Sequence, residues 1–308
     1  MLDEKETAHQ PQRRMEKIMK ELAPEVVDHF SGCGSPVPEC ITARRVLDLG
    51  CGTGRDVYIC AAIAGPGGFV LGLDTEMESL AIARRNVEST MERFGHREPN
   101  VAFRKGSIER LRDAEINEED FDVVISNRAF NMVGDRLRGL KEIFRVLKPG
   151  GEFHFSDLFC DRRIEPGVEL PGHGGAMYVG DFLRLAAKAG FPDPRVLARS
   201  RVHVGEPHHA IFHALTLRLF KLPEMEFPEE DYGQAATYLG TIDGCPHRFA
   251  LDEENLFETG RALTIGGNTA LMIERSRFSP HFSICGERTH HFGPFRRPGR
   301  PTPRGTAE

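Results

Sequence analysis

The sequence predicts an α/β fold in which a parallel sheet carries helices on both faces and a smaller α+β unit follows. Between residues 44 and about 200, short apolar runs alternate with stretches of helical spacing, the pattern of repeated strand–helix–strand units. The first of these runs ends in a glycine-rich turn that opens a helix. After residue 200 the alternation stops and short strand-like segments take over. A length of 308 residues suits about two domains.

Residues 1–40 read as a helical arm and a loop, with an amphipathic helix from Met15 to Ala23 and a turn-rich stretch from Phe30 to Pro36. Residues 44–50 form a buried strand. Residues 54–65 form a helix closed by Gly65-Pro66-Gly67-Gly68. Residues 69–74 are a second buried strand, and residues 77–95 one helix with Leu80, Ala83, Val87 and Met91 on a stripe. Strands follow at 101–107 and 121–127. A helix over 136–151 is stopped by Pro149 and two glycines, and a fifth strand covers 152–159. Residues 179–191 form a further helix with a glycine stop. This divides the chain into an arm (1–40), a cofactor domain (41–200), a substrate-side α+β domain (201–288) and a Pro-, Gly- and Arg-rich disordered tail (289–308).

Composition narrows the function. Hydrophobic residues make up 40% and charged residues 28%, with a net charge of −6, which excludes a general nucleic-acid or membrane-surface binder. No apolar run is long enough to span a bilayer, and the N-terminus has no apolar signal core. Seven scattered cysteines without CxxC spacing point to reduced thiols in a cytoplasm, with no disulfide framework and no metal site. The expected partner is a small-molecule acceptor.

The most informative motif is Val46-Leu47-Asp48-Leu49-Gly50-Cys51-Gly52-Thr53-Gly54-Arg55. The glycines remove side chains where the backbone must pass close to a ligand. Its GxGxG spacing differs from the GxGxxG that seats a pyrophosphate. Asp48, at the strand end, suits a ligand with an ammonium group and would repel a diphosphate. Asp74 ends the second strand, where a carboxylate can hold both ribose hydroxyls, with Thr75 and Met77 beyond it. Ser107, Ile108 and Glu109 follow the third strand, in position for an adenine ring. Asn127 and Arg128 follow the fourth, near a reactive group and its acceptor. Each of these taken singly is also an ordinary strand-end turn. Together they make Asp48, Gly50, Cys51, Gly52, Gly54, Arg55, Asp74, Thr75, Met77, Ser107, Ile108, Glu109, Asn127 and Arg128 the candidate cofactor set.

At these residues the chain resembles the class I methyltransferases, whose motifs match DLGCGTG, Asp74 and the LKPGG turn before strand five. The resemblance implies a Rossmann-like class I methyltransferase sheet and S-adenosylmethionine as cofactor. It puts the backbone near Gly50 and Gly52 against the cofactor, with Asp74 on the ribose. With SNRAFNMV, VLKPGGEFHFSDLF, GGAMY, LRLFK and the late SRF added, residues 25–285 resemble the arsenite methyltransferases. That implies methyl transfer to trivalent arsenic or a related small acceptor. In this chemistry thiolates hold the soft metalloid and aim its lone pair at the methyl carbon, and positioning dominates.

The family pattern implies a thiol at Cys33, in its Gly-Cys-Gly turn, though not one of the three that hold the metalloid. Its other three thiols fall at Val57, at Gly172 or His173, and at Ala210. Cys60 lies one helical turn from Val57 and otherwise packs in the core, as Cys51 does against the sheet. His173, His208, His209 and His213 gather where the thiols are absent, either as polar loop residues or as an imidazole-lined acceptor site. Arg128 is either a surface ion pair or a clamp for an anionic acceptor. The catalytic candidates are therefore Cys33, Arg128, His173 and His209. Cys245 and Cys285 are extra thiols that could face the acceptor cleft or pack inertly, and His290 and His291 are solvated. Three alternatives stay open: the same scaffold methylating a non-thiol-bound metabolite, a non-catalytic S-adenosylmethionine-binding protein, and, more remotely, a nicotinamide oxidoreductase.

Overall fold

The computed structural model describes residues 10–30, 32–164, 175–203 and 210–296. Helix α1 (Gln10–Met19) starts earlier than the expected 15–23 and hands over to a short α2 (Pro24–Val27), which begins at the helix-starting Pro24. Strand β1 (Arg45–Leu49), helix α3 (Arg55–Ala64) and strand β2 (Phe69–Asp74) form the first parallel unit. The helix expected over 77–95 is two helices, α4 (Met77–Arg85) and α5 (Val87–Arg93), which meet at Asn86. There the Asn86 amide donates to the Glu25 carboxylate and to the Ile82 carbonyl. Strands β3 (Val101–Lys105) and β4 (Phe121–Asn127) follow, then helix α6 (Arg136–Val146). Strand β5 (Leu147–Cys160) takes in the LKPGG turn, and next come β6 (Met177–Tyr178), α7 (Val179–Ala189), β7 (Arg195–Val202) and β8 (Phe212–Phe220).

The main sheet has the order β3-β2-β1-β4-β5-β8-β7, with β6 pairing β5. Pairing is parallel from β3 to β5, and β8 enters antiparallel between β5 and β7. The sheet therefore runs past residue 200, and a boundary at 200/201 falls inside its strand β7. The reason lies in the apolar run Phe212–Phe220, long enough to pair with β5 from Glu152 to Cys160. Beyond it lie β9 (Glu230–Asp231), β10 (Gln234–Tyr238), β11 (Arg248–Ala250), β12 (Leu256–Glu258), β13 (Ala262–Ile265), α8 (Gly267–Glu274), β14 (Phe282–Cys285) and β15 (Gly293–Pro294). Strands β13, β10 and β14 form a small antiparallel sheet. β15 pairs with β9, so the expected disordered tail is ordered at least through this pair; residues 297–308 lie outside the described ones.

Strand β5 divides the molecule, because successive side chains point to opposite faces. Phe153, Phe155 and Phe159 face α7, where Phe182 meets Phe155 and Phe159 at ring-centroid distances of 5.6 and 5.2 Å. The other face begins with Glu152 and His154, both fully buried. Glu152 pairs with Arg218 of β8 at 3.4 Å and with Arg277 of the C-terminal unit at 2.5 Å. Arg218 also pairs with Glu39, whose carbonyl accepts a hydrogen bond from Arg277 at 2.8 Å. These charges join the N-terminal loop, the sheet and the C-terminal unit. Burial, together with the two neighbouring guanidiniums, pushes His154 well below the usual imidazole range, so it is neutral.

Candidate active site

Strand order reverses between β1 and β4, so the chain leaves a crevice at their carboxyl ends. A cleft opens there, with Asp48, Gly50, Cys51, Gly52, Arg55, Asp56 and Asn127 in its wall and His29, Phe30 and Gly32 on the N-terminal side. Gly50, Gly52 and Gly54 have φ of 74°, 52° and 89°, in the left-handed region that side chains disfavour. A Cβ at Gly52 would meet only open space, whereas one at Gly50 would collide with the Ala129 methyl. Gly54 faces the Phe103 ring.

Asp48 is fully buried, and its Oδ2 has no hydrogen-bond partner. Burial first, then Asp56 and Asp74, holds this carboxyl well above the usual range, against a smaller opposing effect of Arg55. An orphaned buried carboxyl in a cleft wall lacks a cation, and a ligand ammonium group would supply it. The Asp74 carboxylate already shapes the loop: its two oxygens accept from Gly52 N at 2.7 Å and Glu76 N at 2.9 Å. Each oxygen keeps a further lone pair.

Of the other expected cofactor residues, Thr75, Met77, Ser107, Ile108 and Glu109 are not in this wall, whereas Arg55 and Cys51 are. Thr75 is exposed beyond β2, and Met77 is exposed at the start of α4. Ser107 accepts from Glu109 N at 3.3 Å, Ile108 is buried in the core, and Glu109 accepts from Asp135 N at 2.5 Å. Arg55 is held by a two-pronged pair with Asp56 and lies 3.0 Å from the Phe30 ring centroid. Cys51 is buried against Gly72 of β2.

The N-terminal loop crosses the cleft as a strap. The Asn127 side chain accepts from Cys33 N at 3.0 Å and donates to Gly34 O at 3.1 Å and to Asp56 Oδ2 at 3.0 Å. A Cβ at Gly32 would lie 2.5 Å from the Asn127 side chain, and one at Gly34 would lie 2.5 Å from Ser156 Oγ. The Gly-Cys-Gly spelling is thus a packing requirement, and it carries Cys33 to the tips of β4 and β5. Burial pushes the Cys33 thiol up to about 12; Asp157 adds to the rise and Arg128 opposes it. Arg128 has φ of 64° and donates its N–H to Ser156 O at 2.8 Å. Cys33 and Arg128 are therefore brought together.

A protein from Aquipseudomonas alcaligenes described as arsenite methyltransferase is 41% identical over 293 residues, covering 91% of this chain and 84% of its own length. The chain belongs to the arsenite methyltransferase family. A mouse arsenite methyltransferase is 37% identical over 84% of the chain and 71% of its own length. Residues 42–168 match the family described as methyltransferase domain, and residues 232–295 match the arsenite methyltransferase C-terminal domain. The crystal structure of an arsenic(III) S-adenosylmethionine methyltransferase from Chlamydomonas reinhardtii superposes with a TM-score of 0.89 at 39% identity, covering 92% of this chain and 99% of that one. The fold is the class I methyltransferase fold and the cofactor is S-adenosylmethionine, as the sequence implied.

The arsenite methyltransferase pattern is less simply met on the acceptor side. Val57 lies in the core against Gly72, not in the cleft. Cys60 is also a core residue. Gly172, His173, His208 and His209 lie outside the described residues. Ala210 precedes β8, and His213 sits within it opposite Phe159 and Arg201. Cys245 packs with Cys40 against the C-terminal core and Cys285 is exposed on β14, so neither faces the cleft. His291 is half-exposed and pairs with Glu230 at 3.0 Å. Sequence reasoning read Asp56 only as part of the Gly-Arg-Asp that marks the family resemblance, in what is the first turn of α3, and missed Asp157 and the bracketing role of Asn127. Asp157 was visible only as an acid near a strand end.

Proposed function

We propose that this chain transfers a methyl group from S-adenosylmethionine to trivalent arsenic or a related small acceptor. The observation that carries it is the strap that Asn127 holds across the cofactor cleft, with Cys33 at the tips of β4 and β5. The cofactor supplies an electrophilic methyl group. Asp48 takes its ammonium group, the backbone at Gly50 and Gly52 lies against it, and Asp74 holds its ribose. Ser107, Ile108 and Glu109 lie on the adenine side. Cys33, Arg128, His173 and His209 belong to the acceptor side. The main work of these groups is to fix distance and direction for an in-line displacement. Residues 41–220 form the cofactor domain in this reading, and the unpaired cysteines suit a reducing cytoplasm.

The test is incubation with arsenite, glutathione and S-adenosylmethionine, with arsenic species separated by chromatography. Methylated arsenic is expected; its absence beside a working control enzyme overturns the arsenic assignment.

A second reading has support in the Cys33 thiol, which is protonated at neutral pH, and in the core position of Val57. The metalloid is then replaced by an anionic metabolite that Arg128 clamps, consistent with three thiols of the family pattern falling on other residues. A substrate screen by release of S-adenosylhomocysteine tests it, and an identified activity left unchanged by Arg128→Ala counts against it.

A further inference from the structure

Asp157 is buried at the end of β5, and no role in the cofactor set falls to it. Its Oδ2 accepts from Asn131 N at 2.9 Å. Its Oδ1 accepts from Asn131 Nδ2 at 2.9 Å and from its neighbour Leu158 N at 2.8 Å. Asn131 Nδ2 also donates to Leu158 O at 2.5 Å. The two side chains lock the end of the 127–131 turn onto β5. At the start of the turn, Arg128 N donates to Ser156 O. The turn is thus fixed at both ends to consecutive residues of one strand.

Between those anchors sits Ala129, whose methyl occupies the space that a side chain at Gly50 would need. Gly50 is the first glycine of the cofactor loop, and Asn127, at the other end of the turn, is in the cleft wall. The lock also reaches outward: Arg136 donates to Asn131 O at 2.8 Å and to Gly175 O at 3.0 Å. A carboxylate is the side chain suited to this place, because it accepts every one of these N–H groups and donates none.

We propose that Asp157 is a positioning residue for cofactor binding, acting through Asn131 and Ala129 to hold the Gly50–Gly52 backbone and Asn127 in their binding geometry. The titratable and charged groups that face it are Arg128 of the turn and the neutral thiol of Cys33 in the strap; Arg136 reaches its partner Asn131. Burial raises the Asp157 carboxyl to about 6, with the Asn131 and Leu158 hydrogen bonds and Arg128 opposing the rise. The lock therefore weakens as pH falls through that value, when one oxygen becomes a donor facing donors.

The experiment is calorimetric titration of the full chain with S-adenosylmethionine, which needs no acceptor, so its outcome is independent of the arsenic assignment. Asp157→Asn puts an NH2 against an N–H at nearly constant volume. Its dissociation constant at pH 8 should rise at least about tenfold. The wild-type constant should weaken as pH falls from 8 to 5.5, and the variant's should change less over the same range. A folded variant that binds within twofold of wild type at pH 8, or whose pH dependence matches the wild type, overturns the proposal. If the variant does not fold, hydrogen exchange on the wild type decides. After correction for intrinsic rates, the Asn131 amide should lose protection between pH 7 and 5, and unchanged protection overturns the assignment. A residue that merely stabilised the fold would lower the melting temperature without linking cofactor affinity to pH.

Discussion

The backbone N–H of Cys33 donates to the side-chain oxygen of Asn127 at 3.0 Å, across 94 residues of sequence. That bond ties the N-terminal strap to the tip of β4. The glycines on either side of Cys33 exist for the same approach.

Gly34→Ala should therefore lift the strap. Its added methyl would lie 2.5 Å from Ser156 Oγ, and overpacking of this kind costs about 1–3 kcal/mol. Methyl transfer should fall about tenfold or more, because small displacements of reacting groups have large kinetic effects. Steady-state turnover of the two proteins decides it, and turnover within twofold of wild type would show that the strap does not position the acceptor.

Asp48→Asn should move stability and binding in opposite directions. Burying an unpaired carboxylate is unfavourable, so the ligand-free variant should melt at a higher temperature than wild type. Loss of the charge opposite the cofactor ammonium should weaken S-adenosylmethionine binding by about tenfold or more. Melting curves with and without cofactor measure both. A variant with lower ligand-free stability and unaltered affinity contradicts this account of Asp48.

Glu152→Gln removes the carboxylate on β5 that Arg218 and Arg277 share, and leaves buried guanidiniums undercompensated. Breaking a buried pair from one side costs about 3–5 kcal/mol. Urea unfolding should register that loss, and a change below about 1 kcal/mol would mean that Glu39 and the aromatic rings at Phe249 and Phe278 suffice to hold the two arginines.

Asp157 also sets a pH dependence of stability. Its carboxyl titrates at about 6 when folded against 3.8 normally. Between these values the unfolded chain has released the proton and the folded chain retains it, so rising pH favours unfolding. Across pH 4 to 6 this amounts to roughly 2 kcal/mol. His154, held low, has the opposite sign: its contribution is lost as pH falls below the normal histidine value. The comparison is therefore wild type against Asp157→Asn, whose stability difference should change by that amount over the range. A constant difference would mean that the carboxyl titrates normally.

Much of this was legible in the sequence. The residues 69–74 and 121–127 form strands as expected, since apolar, β-branched runs bounded by turn residues have few other uses. The donor loop was legible because its glycines and Asp48 are close together in sequence. The strap, the Asp157–Asn131 lock and the Glu152–Arg218–Arg277 pairs were not. Each joins residues whose separation in sequence is closed only by folding, and neither spacing nor residue type marks Asp157 apart from any other acid at a strand end. The split of the 77–95 helix depends on Asn86 meeting Glu25, a contact that no helical periodicity encodes.

Strand β8 lies between β5 and β7, although β7 comes first along the chain. On the ribosome, the whole parallel half of the sheet can emerge while β5 still shows an unpaired edge of nine residues to solvent. β7 cannot cover it, because its partner is β8. Nascent chains that stall before Phe220, or proteolytic fragments cut near residue 205, should be sticky and prone to chaperone capture, since their exposed edge is a template for pairing with another chain. Successful synthesis of the methyl-donor half is in this sense contingent on a strand that arrives after it.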